Sequence, residues 1–103
     1  MDKALLYKIC QLTEQGEHFA IVTVVSTKGS TPRKAGASMI VERNGIITGT
    51  IGGGCAEAEV KLKALSAIDK LQSSIYEVKM LNDVAEEEGM VCGGVMEVFI
   101  QVT

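Results

Sequence analysis

Apolar positions along the chain follow two periods, and the switch between them predicts the elements. Over 2–16, Leu5, Leu6, Ile9 and Leu12 recur at helical spacing, with Asp2 placed to cap the start and Gly16 to end the helix. The run 19–26 is dense in β-branched residues, as in a strand buried on both faces. Segments 38–42 and 46–51 flank Asn44-Gly45, the common signal for a two-residue hairpin turn. The helical period returns over 56–71, where Val60, Ala64, Ala67, Ile68 and Leu71 mark a buried face. Glu57–Lys61 and Glu59–Lys63 form i,i+4 pairs on its exposed side. Residues 75–81 alternate around Tyr76, Val78 and Met80. Over 95–102, Val95, Glu97, Phe99 and Gln101 share one face, and Met96, Val98, Ile100 and Val102 the other. Segments 29–36 and 82–88 are loops by turn chemistry and acidity, the second with room for a helical turn.

The order α-β-β-β-α-β-β predicts an α/β domain of the α+β kind, with a mixed sheet of about five strands and two main helices. No repeat or linker interrupts residues 1–103, so one domain is expected, and the apolar final strand is a candidate edge for pairing in a homo-oligomer. At 103 residues the fold buries roughly 60% or more of the unfolded chain's surface, enough for a core without metal or disulfide staples.

Charge narrows the function classes. Ten basic and 13 acidic residues give a net charge of −3, which argues against nucleic-acid binding. The local basic cluster Lys28, Arg33 and Lys34 suits one small anion. The N-terminus enters an amphipathic pattern directly and no apolar run is long enough to span a bilayer, so neither a secretory leader nor a membrane anchor is expected. Three cysteines at irregular spacing form no disulfide framework, and the expected compartment is the cytoplasm.

Composition has one skew, 11 glycines against one proline, and it is local. Four glycines lie in Gly49-Thr50-Ile51-Gly52-Gly53-Gly54 and three in Gly89-Met90-Val91-Cys92-Gly93-Gly94. The first cluster follows a strand and opens a helix, where unpaired N–H groups and the helix dipole favour an anion. It lacks the Walker ending and the G-x-G-x-x-G spacing. Spacing alone leaves two readings open, a ligand cradle or a tight turn packed against another backbone. Cys55, at the start of that helix, is placed where the dipole favours thiolate, and Cys92 precedes Gly93-Gly94; small apolar packing is the alternative for both. Cys10 reads as core or boundary packing. Ser30, Thr31 and Arg33 sit beside the only proline in a loop suited to gripping a phosphate, or simply in a solvated turn. Glu57 falls in the first helical turn, where it complements the dipole or contacts a ligand over the glycines. Three isolated cysteines and His18 lack zinc-ligand spacing, and no partner for His18 can be named.

Three segments together resemble the XdhC/CoxI family: 22–37, which includes Ser26-Thr27-Lys28-Gly29-Ser30-Thr31-Pro32-Arg33-Lys34-Ala35-Gly36; Gly49-Thr50-Ile51-Gly52-Gly53-Gly54-Cys55-Ala56-Glu57; and Gly89-Met90-Val91-Cys92-Gly93-Gly94. The resemblance runs over nearly the whole chain. It implies an accessory factor for molybdenum hydroxylases of the xanthine dehydrogenase and CO dehydrogenase type, a cofactor-maturation chaperone and not a turnover enzyme. Such a factor binds molybdenum cofactor, as molybdopterin or its cytosine dinucleotide form, assists its sulfuration with a cysteine desulfurase, and delivers it to the apo-enzyme. On that basis Ser30, Thr31, Arg33, Gly52, Gly53, Gly54, Cys55, Glu57, Cys92, Gly93 and Gly94 are the expected cofactor-binding residues, with Cys55 or Cys92 near the molybdenum. Many members continue into a Rossmann-type domain; this chain ends at Thr103, so a separately encoded Rossmann-domain partner is expected. Two other readings are a thiol-based sulfur carrier that takes up persulfide and an interaction module that docks on the hydroxylase without touching cofactor.

Overall fold

The structure, a computed structural model, describes residues 2–29, 35–52, 54–80 and 94–103, and of Cys55 and Met80 the backbone alone. Helix α1 spans Lys3–Glu14 and is started by the Asp2 side chain, which accepts from the Ala4 N–H at 2.7 Å. Gly16 ends it at φ +70°: its N–H donates to the Thr13 carbonyl and that of Glu17 to the Leu12 carbonyl, the paired bonds of a Schellman cap. The strands are β1 (Phe19–Lys28), β2 (Ser38–Glu42), β3 (Ile47–Gly49), β4 (Ser74–Met80) and β5 (Gly94–Val102), and helix α2 (Gly54–Lys70) lies between β3 and β4.

The α+β class and the element order are as the periodicity predicts, but the pairing differs. The sheet runs β3-β2-β1-β5-β4, and every pairing in it is antiparallel where a mixed sheet was expected. The reason lies in the crossover. Helix α2 carries the chain from β3 at one edge to β4 at the other, so the two parallel strands it joins are not neighbours. β5 lies between β1 and β4, which corrects the expectation that the final strand is an edge.

The two helices cover opposite faces of the sheet. On one, α2 sets Ala56, Val60, Ala64, Ala67 and Ile68 against Ala20, Val22, Val24, Met39, Val41, Val78, Met96, Val98 and Ile100. Fully burying a valine or isoleucine side chain contributes about 2 kcal/mol, so this layer dominates stability. On the other, α1 packs Leu5 and Leu12 against Phe19 and Ile40. Leu6, which shares the helical spacing of Leu5, Ile9 and Leu12, is half exposed, since the side of α1 turned to the sheet is the one that carries Leu5 and Leu12.

Two local expectations also change. The hairpin loop is Arg43-Asn44-Gly45, not two residues. The Gly45 N–H donates to the Glu42 carbonyl, the Glu42 N–H to the Ile46 carbonyl, and Gly45 takes φ +91°. This is a type I turn with a left-handed glycine after it; a two-residue type I′ turn would also need positive φ at Asn44. Leu71 is exposed rather than buried. It follows α2 at φ +51° and makes the same Schellman bonds as Gly16, with its N–H to Ile68 and that of Gln72 to Ala67.

Glu59 and Lys63 both turn toward Tyr76 on β4. The Tyr76 hydroxyl donates to Glu59 Oε2 at 2.8 Å, and Lys63 Nζ stands 5.2 Å from the ring centroid. The nearby Glu59 carboxylate, as hydrogen-bond acceptor and negative charge, and partial burial hold the Tyr76 phenol above its usual range of about 10.

Candidate functional site

Strand directions bring the flanks of the three motif segments to one end of the sheet. β1, β3 and β4 finish there and β2 and β5 begin there. The flanks Gly29 and Ala35, Gly52 and Gly54, and Met80 and Gly94 are therefore at the same end, although they are far apart in sequence. Ser30, Thr31, Arg33, Gly53, Cys92 and Gly93, together with the expected loop over 82–88, lie outside the described residues.

The connection from β3 to α2 is held by side chains of its own. Ile51 is fully buried in the core beneath α2, which anchors the middle of the loop. The Thr50 hydroxyl accepts the Gly52 N–H at 3.1 Å and donates to Glu57 Oε2. Glu57 thus ties the first turn of α2 back to the loop, in addition to complementing the helix dipole. Sequence reasoning does not single out Thr50; its position two residues before Gly52 is the signal of a side-chain turn.

The glycines of this segment divide into two kinds. A Cβ on Gly49 would stand 2.8 Å from the Ser38 carbonyl oxygen and 2.9 Å from Leu5 Cδ2, so this glycine serves close packing. Gly54 has φ +63°, yet a Cβ there would meet nothing within 4 Å. Here the left-handed turn into the helix requires glycine, and the space beside it is open among the described residues. Cys55 follows directly at the second position of α2, and Gly52 precedes at φ +141°. The helix start combines free space with backbone donors and a positive dipole end, an arrangement able to hold an anion close to the main chain.

Neighbouring strand ends supply further polar groups. The register of β1 against β5 shifts between Val24 and Ser26, and this bulge directs Ser26 onto Glu97, whose Oε1 accepts the Ser26 hydroxyl at 2.9 Å. The Gly36 N–H donates to the Val24 carbonyl at 2.7 Å, holding the return into β2 against β1. Gly94 is buried and pairs with Met80, so its place in the candidate set is as the first residue of β5.

Two other residues are placed away from the motifs. Cys10 is exposed on α1, not packed in the core. His18 lies at the opposite end of the sheet, about 30 Å away by the rise of β1. Its Nδ1 is 3.1 Å from the Thr103 carbonyl oxygen, and it lines an open groove of about 440 Å³ with Leu12, Gln15, Glu17, Glu42, Arg43 and Asn44. Beside that groove Lys8 Nζ pairs with the buried Glu42 Oε2 at 3.1 Å. Among the described residues no group of three or more His, Cys, Asp or Glu could hold a metal ion, and no helix is long and apolar enough to cross a membrane.

Known proteins resemble this chain in sequence and in fold. The chain is 40% identical over 92 residues to the Escherichia coli K12 protein named uncharacterized protein YqeB, covering 89% of this chain and 17% of that protein. It is 34% identical over 89 residues to a Bacillus subtilis 168 protein named as a probable xanthine dehydrogenase subunit, covering 84% of this chain and 27% of that one. The fold matches a crystal structure of a xanthine dehydrogenase from Bacillus halodurans with a TM-score of 0.70 at 21% identity, over 94% of this chain and 30% of that chain. The chain therefore spans less than a third of the length of these relatives. The XdhC and CoxI family matches over residues 12–79, across the first two motif segments, and the chain belongs to that family.

Proposed function

We propose that this chain serves the maturation of a molybdenum hydroxylase by holding molybdenum cofactor, as molybdopterin or its cytosine dinucleotide form, for sulfuration and insertion. The client is a cytosolic apo-enzyme of the xanthine dehydrogenase or CO dehydrogenase type, with a cysteine desulfurase as sulfur source. The family, and a relative whose name is that of a xanthine dehydrogenase component, point to a molybdenum-hydroxylase-associated role.

The observation that supports cofactor binding is the start of α2, where Gly54 leaves open space beside backbone donors and Cys55 follows. This donor set fits a phosphate-bearing ligand: N–H groups bind the anion, and nothing described fills the volume next to Gly54. The Thr50–Glu57 tie holds the loop in place before any ligand arrives, which lowers the ordering cost of binding. In this reading Gly52, Gly53 and Gly54 hold the phosphate with Ser30, Thr31 and Arg33, and Cys55 or Cys92, with Gly93 and Gly94 beside it, faces the metal-bearing end of the cargo.

The test is retention of isolated molybdenum cofactor by the purified protein, read as protein-bound molybdenum and pterin after gel filtration. Wild type is expected to retain it, and Cys55→Ala or Cys92→Ala to lose retention or sulfuration with an unchanged circular dichroism spectrum. Equal failure of wild type and both variants to retain cofactor sinks the reading. A mass gain of one sulfur on Cys55 or Cys92 after incubation with a cysteine desulfurase and cysteine, without cofactor retention, would replace it with the sulfur-carrier reading.

A further inference from the structure

The two edges of the sheet are built differently. β3 is three residues long, and α1 closes over it, with Leu5 Cδ2 2.9 Å from the point where a Cβ on Gly49 would stand. β4 is seven residues long and pairs with β5 at every position from Ser74 to Met80 without a bulge. Among the described residues no strand lies on its outer side, and Ile75 is 65% exposed. A regular edge of this length, open among the described residues, offers a row of backbone donors and acceptors to another strand.

Side chains on β4 restrict what that strand can be. Tyr76 and Val78 point to the α2 face, and Ile75, Glu77 and Lys79 to the opposite one. On that face the inner neighbour of Glu77 is another carboxylate, Glu97, and that of Lys79 is the apolar Val95. Neither charge has its complement directly opposite on β5, and a strand added on the outer side would offer each a second directly opposed position.

We propose that β4 is a self-association edge, on which a second copy of this chain adds its own β4 antiparallel about a two-fold axis at Val78. In that register Glu77 of each copy stands opposite Lys79 of the other, and symmetry repeats the pair. Moving the axis to Glu77 sets Glu77 against Glu77, and moving it to Lys79 sets Lys79 against Lys79. Among these three axes, all of which keep α2 of both copies on the same side, charge therefore selects the one at Val78. The result doubles the five-stranded sheet and, because the joined strands are antiparallel, puts the motif-bearing ends of the two copies at opposite ends of the assembly. Each copy keeps its own helix start and its own motifs, so ligand sites are two per dimer and independent. The dimer does not depend on what those sites bind.

Sedimentation equilibrium on the full chain, from micromolar to millimolar concentration, tests the edge. Wild type is expected to dimerise. Glu77→Lys alone or Lys79→Glu alone, both at exposed positions, should raise the dimer dissociation constant by about tenfold or more, since each turns two attractive pairs into repulsive ones. The double variant Glu77→Lys/Lys79→Glu restores opposite charges in the same register and should recover most of the lost affinity. A wild type that stays monomeric at millimolar concentration overturns the proposal, because Glu77 and Lys79 then act only to block edge pairing. A dimer indifferent to both single reversals overturns it too, as does a double variant that associates no better than the singles.

Discussion

Gly49 and Gly54 stand five residues apart in one connection and need glycine for different reasons. Both have positive φ, +88° and +63°. Around Gly49 the Ser38 backbone and the Leu5 side chain leave no volume for a methyl group, whereas beside Gly54 none of the described residues comes within 4 Å of that position. The difference teaches that a glycine-rich motif is not one feature. Its first glycine lets β2, β3 and α1 come together, and its last turns the chain into α2 while leaving the helix start accessible. Leu71 adds a third case, a left-handed position that the sequence fills without glycine.

The sharpest test of this contrast is Gly49→Ala. Its Cβ would meet a backbone oxygen at 2.8 Å, and the positive φ adds strain, so we expect a loss of about 3 kcal/mol or more in urea unfolding. A loss near that of Gly54→Ala would show that crowding plays no part. Gly54→Ala carries the backbone strain alone, about 1–2 kcal/mol, and should leave a folded protein in which retention of molybdenum cofactor falls. Intact retention in that variant would detach the open space from binding.

Leu71→Gly is predicted to act with the opposite sign. Relief of the left-handed strain, less the greater freedom of glycine in the unfolded chain, leaves a gain of up to about 1 kcal/mol in the same assay. Unchanged or lower stability would mean that the leucine side chain contributes more than its exposure suggests.

The smallest effect concerns the far side of α2 and should leave the motif end untouched. The Tyr76 pKa is raised, so the stabilisation from its bond to Glu59 is fully present below the phenol's ordinary range and is lost as pH rises through the higher folded value. Glu59→Gln removes the carboxylate charge and should lower the titration midpoint of Tyr76, followed by phenolate absorbance. An unmoved midpoint would exclude Glu59 as the cause.

Much of the fold is legible because its signals are local. Asp2 and Gly16 bracket α1 by cap chemistry, and the alternation over 95–102 correctly separates the two faces of β5. Leu71 misleads because helical spacing continues one residue past the end of α2, onto the position where the backbone turns left-handed. Asn44-Gly45 misleads because the dipeptide serves both a two-residue and a three-residue loop, and only the φ of Asn44 distinguishes them. In the candidate site, the glycines and Cys55 stand out by type and spacing. Thr50 does not, since a threonine becomes a hinge between Gly52 and Glu57 only when the helix start folds back onto it.

The sequence by itself determined which segments are helix and which are strand, which side of each seeks the core, and which family the motifs resemble. These depend on side-chain period and chemistry within a few residues. The tertiary structure decided the antiparallel order of the strands, the interior place of β5, the division of labour between Gly49 and Gly54, and the gathering of the motif flanks at one end of the sheet. Each of these rests on contacts between residues distant in sequence, such as Leu5 and Ser38 against Gly49 or the α2 crossover between the sheet's two edges, which no local pattern encodes.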